Sequence, residues 1–185
     1  MNTIVTSREE ILKTSRELLR RDGWSAIHIR GVAAACGVSV GSIYNYFHAK
    51  SELVGAVVES VWCDIFRRAE GEPPFPDTCA CITWLYRRME YGAEEYPGFF
   101  TLHAMPFLRE EKADGKARME RTWDHVLRGL TAVLKRDPNI RPGAFDDTFT
   151  AEKFADVLFS LMLSALLRQD YDPATVLELL RRTLY

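Results

Sequence analysis

The sequence predicts an all-α chain, and three observations carry that expectation. No run alternates apolar and polar residues between turn signals, as a half-buried strand would. Apolar residues recur instead at three- and four-residue spacing, the period of one helix face. Gly and Pro fall between those stretches and so punctuate them. With 185 residues, 47% of them hydrophobic and 27% charged, the chain is long enough to bury a core without disulfide or metal and too apolar for a disordered class. No stretch approaches 18 charge-free apolar residues, so no membrane span is expected. The first ten residues hold Arg8, Glu9 and Glu10 and lack the apolar segment of an export signal.

The first helix is expected over 7–21. Ser7 and Glu10 have capping-box spacing, and Ile11, Leu12, Ser15, Leu18 and Leu19 share one face. Arg20 and Arg21 suit the negative end of the helix dipole, and Gly23 supplies a left-handed stop. A short second helix over 28–35 buries Ile29, Val32 and Ala33. A third, over 40–47, takes Ser39 as its cap. Between them Cys36-Gly37-Val38 makes a sharp turn, with Val38, Ile43 and Phe47 turned toward the first two helices. Two short helices joined by a Gly-containing turn form the helix-turn-helix pattern.

Beyond Lys50 the texture changes, which places a domain boundary there: 1–50, then 51–185. Further helices are expected over 51–68 (capped by Ser51), 78–92, 97–104, 116–136, 151–169 and 173–184. Three prolines in 71–76 cannot sit in a helix interior and mark a loop. Residues 137–143 form another, Asp172-Pro173 is an N-cap and N1 pair, and 106–115 fits no single pattern. Charge divides in the same way. Residues 1–50 hold seven basic against four acidic side chains, a net +3, and the remainder hold 17 against 22, a net −5. An anion-facing front and an acidic body are expected.

No metal or cofactor is expected. Cys79 and Cys81 are one residue apart, which is not Cys-x-x-Cys spacing, and His103 and His125 fall on different helices. The four cysteines read as reduced thiols of a cytoplasmic protein. No Ser/His/Asp set, paired carboxylates on one helix or phosphate-binding glycine loop marks an enzyme.

The stretch Gly37-Val38-Ser39-Val40-Gly41-Ser42-Ile43-Tyr44-Asn45-Tyr46-Phe47, with Lys50 and Glu52-Leu53 after it, resembles the tetracycline-repressor-like (TetR) family of bacterial transcription regulators. Ile11-Leu12, Leu18-Leu19, Gly23-Trp24 and Val32-Ala33 fit as well, so the resemblance covers about residues 8–53. It implies a helix-turn-helix that binds a double-stranded DNA operator. Groove geometry then assigns roles. Ser39 opens the third helix, so Val40, Gly41 and Ser42 lie nearest the base edges. Val40 suits a thymine methyl, Gly41 permits close approach, and Asn45 suits adenine. Arg30 suits guanine or a phosphate. The resemblance carries phosphate contacts onto Tyr44, Tyr46 and Lys50. Three positions depart from the family. His28 stands where Thr or Ser is usual, a poorer cap that suits a phosphate. Gly31 costs its helix about 1 kcal/mol relative to Ala, and Cys36 replaces a usual Ala.

For the body the resemblance implies a pocket for a small, partly hydrophobic effector. Trp62, Phe66, Trp84, Arg88, Tyr91, Phe99, Phe100, His103 and Trp123 are its candidate lining. Apolar stripes holding Phe154, Leu158, Leu161, Met162 and Ala165, then Leu177 and Leu180, are expected to pair two subunits as a homodimeric four-helix bundle. The resemblance thus implies a ligand-responsive repressor on a palindromic operator. The alternative is an effector-blind protein-interaction adaptor on the same fold.

Overall fold

The computed structural model describes residues 6–100 and 113–185, with side chains from Trp123 onward in the second stretch. The described residues are helical, with no strand among them. The helices are α1 Arg8–Asp22, α2 Ile29–Cys36, α3 Val40–Tyr44, α4 Lys50–Ile65, α5 Thr78–Glu95, α6 Ala113–Arg136, α7 Ala151–Arg168 and α8 Ala174–Leu184, with a one-turn 3-10 helix at Trp24–Ala26.

Caps set most of these limits. Ser7 accepts from the Glu10 amide at 3.1 Å, and Gly23 closes α1 at φ 75° with its N–H on the Leu19 carbonyl. α3 ends at Tyr44, earlier than expected, and Tyr46 and Phe47 finish with amide bonds to the Ile43 carbonyl. α4 is not capped by Ser51. The Glu52 carboxylate folds back to accept from the His48 amide at 2.7 Å, and Ala49 accepts the first helical bonds. α4 stops at Ile65, three residues short of the expectation. The expected helix over 97–104 lies only partly within the described residues, where a turn with Gly98 at φ 77° leads into Phe99 and Phe100. Most of 106–115 lies outside them.

The described residues divide into two compact units. The first holds 6–65 with 92–100 and 113–119; the second holds Phe66–Tyr91 and Glu120–Tyr185. The expected boundary at Lys50 falls inside the first unit, because α4 packs on α1. That unit buries Ile11, Leu18 and Leu19 of α1 against Val32, Ile43, Phe47, Leu53, Val57 and Val61. The last turn of α5 joins it through charge. Asp64 accepts from Arg20 Nη2 and from the Tyr96 hydroxyl, both at 2.8 Å, and Arg20 Nε also pairs with Glu95 at 3.0 Å. The Arg20 guanidinium lies 4.8 Å from the Tyr96 ring centre. Burial and the Asp64 acceptor raise the Tyr96 hydroxyl far above the ordinary tyrosine range, so it stays a donor.

In the second unit Asp137 is the polar anchor. Its carboxylate accepts from the Thr78 amide at 2.7 Å, the Asn139 amide at 2.9 Å and the Tyr185 hydroxyl at 2.6 Å. These bonds tie the start of α5 and the chain end to the loop after α6. Burial alone would raise this carboxyl. The hydrogen bonds from Tyr185, Thr78 and Asn139 outweigh burial and hold it below the ordinary aspartate value.

Candidate nucleic-acid interface

The interface is built from α2, the turn after it and α3. His28 is a full cap for α2: in extended backbone, its Nδ1 accepts from the Gly31 amide at 3.0 Å. An Nδ1 that accepts carries no proton, which places the proton on Nε2. The exposed imidazole therefore retains one outward donor. Gly31, a weak point by propensity, is required by space. A Cβ there would stand 2.4 Å from the Ala26 carbonyl oxygen and 3.1 and 3.2 Å from the His28 ring.

Gly37 closes α2 in the left-handed region at φ 67°, ψ 27°, and the Val38 amide returns to the Ala33 carbonyl at 3.0 Å. Ser39 then opens α3. Its Oγ accepts from the Ser42 amide at 3.1 Å and lies 2.9 Å from the Ser42 hydroxyl. Ser39 is thus committed to the cap, and Ser42 shares a hydrogen with it. Val40 and Tyr44 are 39% and 45% exposed, large values for such side chains. Gly41 and Asn45 are exposed beside them, as are Arg30 and, at the start of α4, Lys50. A Cβ on Gly41 would meet the Ser39 Oγ at 3.6 Å, an ordinary contact. The fold itself leaves room for a side chain at Gly41.

Two features depart from the expected interface. The Tyr46 hydroxyl donates to the Thr6 carbonyl, so it binds the chain ahead of α1 and is not presented for a phosphate. Arg8, missed in the sequence because it reads as an ordinary first-turn residue, stacks its guanidinium 5.2 Å from the Phe47 ring centre and adds a cation beside α3.

The candidate effector residues fall into four groups. Trp62, Phe99 and Phe100 are buried together, with ring centres 5.4–5.6 Å apart, and fill the core of the first unit. Phe66 and Trp84 join Phe75 along a groove of the second unit. Arg88 lies over Tyr91 at 4.1 Å, and Trp123 packs edge-on against Phe159 at 5.6 Å. His103 lies outside the described residues. The candidate pairing residues divide by burial. Phe154, Leu158, Met162, Ala165 and Leu180 are buried within the second unit, and Leu161 and Leu177 are half-buried. The apolar side chains that α7 and α8 leave exposed are Val157, Leu167 and Leu179. Among the described residues no cluster of His, Cys, Asp or Glu could hold a metal, and no helix is long and apolar enough to cross a membrane.

Residues 11–57 match the family model of bacterial regulatory proteins, tetR family. Residues 11–57 are thus similar to the N-terminal domain of that family. The match begins in α1 and ends in α4, so it contains the whole helix-turn-helix described above. The HTH-type transcriptional repressor Rv3405c of Mycobacterium tuberculosis is 34% identical over 73 residues, 37% of this chain and 39% of that relative. The match therefore spans about two fifths of the curated relative's length. Solved structures share the fold through the second unit as well. A TetR transcriptional regulator from Legionella pneumophila has a TM-score of 0.61 at 19% identity, over 99% of this chain and 100% of that one. Bacillus subtilis FadR in complex with stearoyl-CoA has 0.64 at 17%, over 97% and 100%. The likeness to these solved structures is one of fold.

Proposed function

We propose that this chain is a transcriptional repressor that binds a palindromic operator as a homodimer and is released by a small, partly hydrophobic effector. The observation that carries the DNA reading is the exposed edge of α3. Val40 and Gly41 are exposed at the start of a helix whose seating is fixed by Ser39 and Gly37, Asn45 is exposed at its C-cap, and half-buried Ser42 lies between them. The room around Gly41 is left empty by the protein and suits close approach of a base edge. Val40 meets a thymine methyl, and Asn45 pairs with adenine. Arg30, Tyr44, Lys50, the His28 Nε2–H and Arg8 take phosphates or, for Arg30, guanine. Tyr46 and Ser39 support this face from within.

The repressor reading is supported by the name of the mycobacterial relative, and the effector reading by the acyl-CoA in FadR. Pairing is supported by the exposed Val157, Leu167 and Leu179 on the last two helices. An effector that weakens operator binding must itself be bound more weakly by the operator complex, by the same factor.

The test is fluorescence anisotropy of the full chain on DNA from upstream of its own gene, at several salt concentrations, beside a random duplex. Tight, salt-sensitive binding to the first alone is expected. Equal binding to both, or binding that ignores salt, overturns the DNA reading in favour of an adaptor. Analytical ultracentrifugation tests pairing: Leu167→Glu is expected to shift the dimer to monomer, and a monomeric natural chain would refute it.

A further inference from the structure

The groove of the second unit encloses about 260 Å³. Phe66, Phe75 and Trp84 form one wall, and α6 from His125 to Arg136 forms the other. Phe75 and Phe66 hold their ring centres 5.5 and 6.3 Å from that of Trp84, in tilted contacts. The arginines of the lining carry one sign of charge. Arg68, His125 and Arg136 reach the groove, and among the described residues no Asp or Glu lines it. Arg68 is fixed in place: it stacks 4.0 Å over Phe75, donates to the Pro73 carbonyl at 2.5 Å, and pairs through Nε with Glu72 at 3.1 Å. Glu72 offsets part of that charge and stands outside the lining. Arg136 is exposed at the end of α6. The floor is Cys81, whose thiol burial pushes up to about 12 while Arg68 and Arg136 pull it the other way, so both cations act on the same point.

We propose that this groove binds a small aromatic carboxylate, its ring between Trp84, Phe75 and α6 and its charge on Arg136. Arg takes a carboxylate through two parallel hydrogen bonds, and a partly dry wall of rings strengthens them. The space is just below the roughly 300–1,000 Å³ usual for ligand sites, so a one- or two-ring acid fits and an extended acyl chain does not. A cation meets only positive charge here. A neutral compound gains the rings without the ion pair. The proposal rests on the effector reading for its regulatory meaning; binding itself requires no DNA.

The probes are 2-naphthoate and its neutral counterpart 2-naphthamide, titrated into the full chain without DNA and followed by tryptophan fluorescence and calorimetry. Naphthoate is expected to bind at least tenfold more tightly than the amide, and Trp84→Phe to lose most of the fluorescence change. Arg136→Gln is expected to weaken naphthoate tenfold or more, and Arg136→Lys less. Gly129 lines the groove on α6, and a Cβ there meets nothing within 4 Å, so Gly129→Leu starts a side chain in open space at the groove and is expected to abolish binding. Equal binding of acid and amide, no saturable binding, or naphthoate binding indifferent to Arg136→Gln and Gly129→Leu overturns the site. Binding as expected that leaves an operator complex intact keeps the site and refutes the effector reading.

Discussion

Replacing Gly31 by Ala sets helix propensity against space. Propensity alone favours Ala in α2 by about 1 kcal/mol. The structure predicts the opposite sign. The new Cβ stands 2.4 Å from the Ala26 carbonyl oxygen, so the 3-10 turn must retreat by about 0.6 Å to reach the 3.0 Å below which such contacts do not occur. It also stands 3.1 and 3.2 Å from the imidazole that caps α2, and turning that ring away breaks the bond from the Gly31 amide. Overpacking of this kind costs about 1–3 kcal/mol and a lost cap about 1 kcal/mol. Set against the propensity gain, the net loss is about 1–3 kcal/mol, or roughly 5 °C in Tm for a chain of this length. Urea unfolding followed by far-UV circular dichroism measures it. Operator affinity should fall as well, because α2 seats α3. A Gly31→Ala protein as stable as the natural chain, or more stable, would refute the reasoning.

Lys50→Ala is expected to weaken binding to every duplex and lower the salt slope by about one, whereas Asn45→Ala relaxes preference at a single base pair; identical behaviour of the two in anisotropy would show that α3 is docked wrongly. Tyr46→Phe is expected to leave the salt slope unchanged and to lower stability by about 1 kcal/mol, since its hydroxyl serves the Thr6 carbonyl; a slope reduced by one would return Tyr46 to the phosphates. Asp137 is held below the ordinary 3.8, so its contribution is fully present above that pH and lost as pH falls through the lower folded value. Asp137→Asn should therefore destabilise the chain at pH 7 and flatten the acid limb of a Tm-against-pH curve; an unchanged acid limb would exclude Asp137 as its source.

What was legible in the sequence was local. Ser7, Gly23, Gly37 and Ser39 act within a few residues of where they stand, and their chemistry is the same in any fold. The exposed positions of α3 follow, because the helix period sets which of its residues face outward once Ile43 faces in. Distant partners were not legible. Tyr46 meets Thr6 forty residues away, and Asp64 meets Tyr96 thirty-two away. Gly31 looked weak because propensity scores only its own helix, whereas the clash comes from Ala26. Periodicity marked α7 as apolar without saying what covers each side. Phe154, Leu158 and Met162 turned out to be core, and Val157 and Leu167 the open edge. The aromatic residues misled for the same reason, since Trp62, Phe99 and Phe100 fill a core as well as they would line a cavity.

The charge cluster around Asp64 bears on how chimeric regulators can be assembled from this protein. A transplanted fragment ending at Lys50 carries Arg16 and Arg20 but leaves behind the carboxylate and the tyrosine that hold Arg20, so the donor piece arrives with its cations facing a foreign surface. Ending at Ile65 restores Asp64 but not Glu95 or Tyr96. The segment over 6–65 therefore does not carry all the partners of its own cations. A recipient scaffold that offers an acid and a hydroxyl at these two places, or a graft in which Arg20 is exchanged as well, restores the balance.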